Sequence, residues 1–165
     1  MKLFSIWYHG KALIKRLILI CIYRNKLKIG SRTTWRRNFS VLINKNGKIK
    51  IGKNCFFNND CSLVAMNGID IGDGTLLGEN VKIYDHNHKF NKTNISIKDQ
   101  GFSVAPVIIG AHCWIGSNVV ILKGTHIGNN VVVGAGCIIS QDIQSNTIVK
   151  QNNNVLEKIP LIVKK

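Results

Sequence analysis

Four consecutive residues, Asp85-His86-Asn87-His88, carry the side chains best suited to chemistry in this 165-residue chain. A neutral imidazole beside a carboxylate can take a proton from an alcohol or an amine. The carboxylate fixes which ring nitrogen keeps its hydrogen and leaves the other free to accept. Taken alone, His-x-His equally describes two exposed loop histidines without a role. A metal site is the other chemistry to weigh. His86, His88, His112 and His126 are four potential ligands, and the first two share a face where the chain is extended. His112 and His126 fall on different faces of the repeat described next. They could join the others only across an interface between chains, so no metal is expected.

The element that must position these residues is a six-residue repeat running from 109 to 139. It reads Ile109-Gly110-Ala111-His112-Cys113-Trp114, Ile115-Gly116-Ser117-Asn118-Val119-Val120, and so on to Ile139. An aliphatic residue opens every block, glycine usually follows, and the fifth place is small or β-branched. Helices repeat near 3.6 and strands at 2, so a strict six points to a solenoid of short strands and tight turns. The first and fifth residues should face inward. The glycines are expected where the backbone bends sharply or takes positive φ. Three blocks make one triangular coil, and coils should stack about 4.8 Å apart.

The same period opens blocks at Ile51, Phe57, Leu63, Ile71, Leu77 and Ile83, with a two-residue slip near Gly68. Cys55, Cys61, Cys113 and Cys137 take the fifth place, so they read as small buried residues and reduced thiols rather than disulfides or zinc ligands. Residues 29–50 are a degenerate start, as terminal coils of solenoids commonly are. Residues 84–106 break the period and must leave the scaffold as an external loop, where function tends to sit. The organisation is thus an amino-terminal segment 1–28, a solenoid 29–145, and a final strand and tail 146–165 that includes Leu161 and Ile162.

Residues 1–28 place Leu3, Phe4, Ile6, Trp7, Leu13, Ile14, Leu17 and Ile18 at helical spacing among lysines and arginines. The uninterrupted apolar run is far short of the ~20 residues needed to span a bilayer. Two placements fit: a helix capping the end of the solenoid, and a basic amphipathic helix lying on the inner membrane face. Both can hold at once, for a cytoplasmic protein. The formal charge of +15 favours anionic partners. The basic residues do not alternate with aromatics on one face, so nucleic acid is not expected. A P-loop is absent.

The repeat, with Trp114-Ile115-Gly116-Ser117, Gly134-Ala135-Gly136-Cys137, Asp85-His86-Asn87-His88-Lys89-Phe90, Asp99-Gln100-Gly101 and Pro106, resembles the hexapeptide-repeat acyltransferases. The resemblance covers about residues 50–150. It is strongest toward the galactoside, maltose and xenobiotic acetyltransferases and their polysaccharide O-acetyltransferase relatives. It implies an all-β solenoid, a left-handed parallel β-helix, assembled as a homotrimer with active sites between subunits. It implies transfer of an acetyl group from acetyl-CoA, as co-substrate, to a hydroxyl of a carbohydrate acceptor, with an amine as the second choice. The base then falls on His88, with His86 as alternative and Asp85 as orienting group. Trp114, Ser117, Ala135, Ser140 and Gln141 would line the CoA groove, and Asn58 and Asn87 would contact the acceptor. The family's Gly-Asn-Pro-Ala turn is missing at Lys150-Gln151-Asn152-Asn153-Asn154, which leaves Lys150, Lys158, Lys164 and Lys165 to meet the nucleotide end. The rivals are a γ-type carbonic anhydrase, whose paired-histidine spacing is not met, and a non-catalytic scaffold.

Overall fold

A computed structural model of the chain describes residues 2–44, 46–152 and 155–160. Leu161, Ile162, Lys164 and Lys165 lie outside the described residues. The backbone winds into a parallel β-solenoid, each coil giving one short strand to each of three sheets. The first sheet stacks Leu27–Ile29, Lys48–Ile51, Gly68–Ile71, Val107–Ile109 and His126–Ile127. The second stacks Thr34–Trp35, Phe56–Phe57, Leu76–Leu77, Trp114–Ile115, Val132–Val133 and Thr147–Asn152. Val155–Pro160 turns back antiparallel on the last of these. The third holds Ser40–Ile43, Ser62–Ala65, Lys82–Tyr84, Val120–Ile121 and Ile138–Ile139.

The six-residue period has a direct physical cause. Ile109 pairs with Ile127, Ile115 with Val133 and Ile121 with Ile139, so each opening residue lies on its counterpart one coil away. These six side chains are buried, and so are Cys113, Val119, Thr125, Val131 and Cys137 in the fifth place. The sixth residue points outward. Stacking like on like lets each layer fill the same triangular cross-section, which keeps the core dry without a second layer of structure.

The glycines do something other than expected. Gly110 and Gly116 are absent from the positive-φ residues. Their role is close approach: a Cβ on Gly116 would come 2.6 Å from the backbone nitrogen of Ala135, and one on Gly110 2.5 Å from the carbonyl oxygen of Gly128. The left-handed corners fall two places later in each block, at His112, Asn118, Gly124, Asn130 and Gly136. Asparagine and glycine tolerate that conformation best. The corner side chains also pair between coils, as Asn80 Nδ2 donates to Asn118 Oδ1 at 2.9 Å and Asn38 Nδ2 to Asp60 Oδ1 at 2.8 Å.

The helix α1 (Lys2–Tyr23) lies over the first coil. Ala12 and Leu19 are buried against the solenoid. Arg16 donates to the carbonyls of Ile29 and Gly30, Lys15 to that of Phe39, and the Tyr23 hydroxyl to that of Val41. The helix therefore satisfies acceptors on an edge that would otherwise stay open for pairing with another chain. Burial depresses the Lys15 pKa below the usual lysine range. The first strand begins at Leu27, inside the segment read from sequence as helical.

Candidate functional site

The irregularity near Gly68 is where Asp85 is held. The backbone of Met66, Asn67 and Gly68 curls around the carboxylate of Asp85 from the next coil. Met66 N donates to both oxygens at 2.8 and 3.0 Å, and Asn67 N and Gly68 N to Oδ2 at 2.7 Å each. Asp85 is fully buried. Three N–H donors on one buried carboxylate compensate for its loss of water. Its main chain is fixed too, since Ala105 N donates to Asp85 O and Gly124 N to Ala105 O. Asp85 is therefore a rigid root, and the insertion leaves the solenoid at residue 86.

From that root His86–His88 pairs antiparallel with Phe102–Val104. His86 Nδ1 lies 3.0 Å from Asp85 Oδ1, and its side chain is only 14% exposed. A carboxylate already receiving three N–H groups can only accept, so His86 Nδ1 is the donor in this contact. His88 is exposed, its ring centroid 4.4 Å from that of Phe102, while His86 meets the same Phe102 edge-on at 5.5 Å. Both histidines thus bracket one phenylalanine, with Asp85 touching His86.

Beyond the hairpin the chain makes a short 3-10 turn at Ile97–Asp99. Gln100 fastens it, accepting from Lys92 N at 3.0 Å and donating to the carbonyls of Lys92 and Ile95. A cleft of about 500 Å³ opens beside the hairpin, lined by Asn87, His88, Lys89, Phe90, Asn91, Ser103 and Lys123. Asn87 and His88 therefore share one cleft. Sequence reasoning missed Phe102, Ser103 and Lys123. A return strand was readable in Phe102-Ser103-Val104 before Pro106, but Lys123 looks like any third-place residue of the repeat.

The remaining expected residues lie on other parts of the prism. Trp114 is 57% exposed on the outer face of the second sheet, between Leu76 and Val132, so it is not a core residue. Ser117 and Ala135 follow at the corner between the second and third sheets, where Ser117 Oγ accepts from Glu79 N at 3.2 Å. Asn58 occupies the same corner and accepts from Arg36 at 3.3 Å. Ser140 and Gln141 are exposed at the corner between the third and first sheets, one coil beyond Lys123. Lys150 pairs with Glu157 at 3.5 Å and Lys158 donates to Asp142 O. One chain thus carries the histidines and Lys123 along one edge, and Asn58, Trp114, Ser117 and Ala135 along another.

His112 occupies a left-handed corner and His126 pairs with Asp142. Among the described residues no group of three metal-ligating side chains comes together. Cys21 is exposed, and Cys55, Cys61, Cys113 and Cys137 are buried free thiols.

A family profile described as the hexapeptide repeat of succinyl-transferase matches residues 48–84 and 106–141. The chain is 34% identical over 110 residues to WbbJ of Escherichia coli (strain K12), provisionally assigned as a lipopolysaccharide biosynthesis O-acetyl transferase; the match covers 62% of this chain and 56% of WbbJ. The chain spans about half the length of the curated relatives it matches. A maltose O-acetyltransferase from Clostridium difficile 630 superposes with a TM-score of 0.69 and 32% identity, over 87% of this chain and 74% of that one. A hexapeptide-repeat acetyltransferase of Vibrio cholerae O1 biovar eltor, crystallised with acetyl coenzyme A, gives a TM-score of 0.73 and 25% identity over 87% and 76%.

Proposed function

We propose, on the premise that this chain belongs to the hexapeptide-repeat acyltransferases, that it moves an acetyl group from acetyl-CoA to a hydroxyl of a sugar or surface-glycan precursor. The observation that carries this reading is the rigid hairpin that presents His88 to a cleft beside the scaffold. His88 takes the proton of the acceptor hydroxyl as its oxygen attacks the thioester carbonyl. The tetrahedral intermediate collapses, the carbon–sulfur bond breaks, and the proton passes to the leaving thiolate. Asn87 contacts the acceptor, and Lys89 and Lys123 bring positive charge to the cleft. A chemistry of this kind fits relatives that bear the names of lipopolysaccharide and maltose O-acetyl transfer.

The two-edge layout supports a homotrimer with the site between chains. The histidine edge of one copy would face the Trp114–Ser117–Ala135 edge of the next, with Asn58 toward the acceptor and Ser140 and Gln141 farther along the groove. Apolar side chains exposed on the single chain give that contact a driving force: Leu76 and Trp114 on the sheet, and Phe90, Ile95, Ile97 and Phe102 on the loop.

The Asp85–His86 contact favours a second reading, in which His86 is the base and Asp85 holds its tautomer. Acceptor-dependent release of CoA thiol separates the two. Loss of about 10²–10⁴ in kcat for His88→Ala, with a smaller loss for His86→Ala, supports His88; the reverse order assigns His86. If no simple sugar, oligosaccharide or amino-sugar acceptor stimulates thiol release by the wild type, acetyl transfer itself fails.

A further inference from the structure

Among the described residues, nothing covers the face of α1 that residues 10–22 turn away from the solenoid. Leu13, Ile14, Leu17, Ile18 and Ile22 are each more than half exposed. At about 3.6 residues per turn they spread, with exposed Gly10 and Cys21, over roughly one half of the helix circumference. The opposite half holds Ala12, Leu19, Arg16 and Tyr23, which are spent on capping the first coil. Capping therefore does not explain the outer stripe.

The charge around this stripe says what covers it. Residues 1–59 contain 14 of the chain's 23 Lys+Arg and none of its 8 Asp+Glu. The rest of the chain is close to neutral. Arg24, Lys28, Arg32, Arg36 and Arg37 are exposed at the same end of the solenoid, around the helix and the first coil. A second copy docking stripe to stripe would press two strongly basic ends together, with no carboxylate in residues 1–59 of either copy to offset them. A surface of anionic headgroups over an acyl interior matches both features, apolar stripe to acyl chains and cations to phosphates. Among the described residues no helix is long and apolar enough to cross a membrane, so α1 could meet a bilayer only along its surface.

We infer that α1 docks the protein on an anionic lipid bilayer, its Leu13–Ile22 stripe sunk at the headgroup boundary and its basic end held by lipid phosphates. The test is flotation of the full-length protein with vesicles of phosphatidylcholine containing about 30% phosphatidylglycerol, against pure phosphatidylcholine. The wild type should float with the anionic vesicles and stay behind with the neutral ones, and about 0.5 M NaCl should weaken its binding. Leu17→Asp with Ile18→Asp should lower the bound fraction at least tenfold while leaving the thermal melt and the lipid-free sedimentation coefficient unchanged. Arg24→Glu with Lys28→Glu, at two exposed sites away from the stripe, should weaken binding to anionic vesicles as well. Undiminished binding of both variants overturns the inference. So does a fall in oligomer size in the aspartate variant, which would make the stripe a contact between copies. Acetyl transfer to a free acceptor is read separately and has no bearing on the result.

Discussion

Asp85→Asn is the most informative single substitution. The amide is isosteric, so nothing need move, but one oxygen becomes a donor. The remaining oxygen should take the Oδ2 place, where Asn67 N and Gly68 N each donate at 2.7 Å. The NH2 then takes the Oδ1 place, 2.8 Å from Met66 N and 3.0 Å from His86 Nδ1. Met66 N–H keeps only its 3.0 Å contact, and the other bonds lose their charge assistance. Set against relief from burying a charge, the net cost is about 2 kcal/mol. For a chain of this size that is a fall of roughly 4–8 °C in Tm. The imidazole should answer as well: in the neutral ring Nδ1 would accept from the amide, and the hydrogen would sit on Nε2. Urea melts measure the first effect and long-range proton–nitrogen NMR of the His86 ring the second. An unchanged melt with the hydrogen still on Nδ1 would refute the account of Asp85 as a charged root held by three N–H groups.

Other outcomes follow from the core. In the native protein the exposed Cys21 should react rapidly with a thiol reagent and the four buried cysteines only after unfolding. Burial pushes the Cys61 thiol from 9.0 up to about 11, so the folded state keeps a proton that the unfolded state loses. Stability is therefore fully present below pH 9.0 and should fall by roughly 2–3 kcal/mol as pH rises to about 11. Cys61→Val should flatten that part of the urea-midpoint profile, and an unchanged slope would contradict it. Gly116→Ala should cost about 1–3 kcal/mol because its Cβ meets the next coil's backbone. Gly136→Ala, at φ +76° with open space around it, should cost about 1–2 kcal/mol through backbone strain alone. Crystal structures of the two variants distinguish the causes: a shifted coil for the first, an unmoved one for the second.

The repeat was legible because burial selects the first and fifth places of every block, as at Ile115 and Val119, and stacking forbids drift. The role of its glycines was not, since close approach between coils and positive φ both favour glycine and only the backbone separates Gly116 from Gly136. The hairpin histidines could be found from their place in the one long insertion. Their pairing could not. Whether Asp85 serves His86 or His88 depends on the Met66–Gly68 backbone from a different coil, which the slip near Gly68 hinted at without explaining. Trp114 was ambiguous because its register, outward in the sixth place, decides between core and surface. Lys123 went unread because proximity to His88 arises only from stacking. Handedness rested on family resemblance alone.

The central claim is that a histidine from one chain works on a thioester held along the next. Co-expression of His88→Ala chains with Ala135→Trp chains tests it most directly. Each variant alone should be inactive, the first lacking its base and the second, at an exposed corner, blocking its groove. In a randomly mixed trimer about one site in four pairs an intact histidine with an intact groove, so about a quarter of wild-type acetyl transfer should return. Mixed trimers that recover no activity would place both residues in the same chain's site and contradict the account.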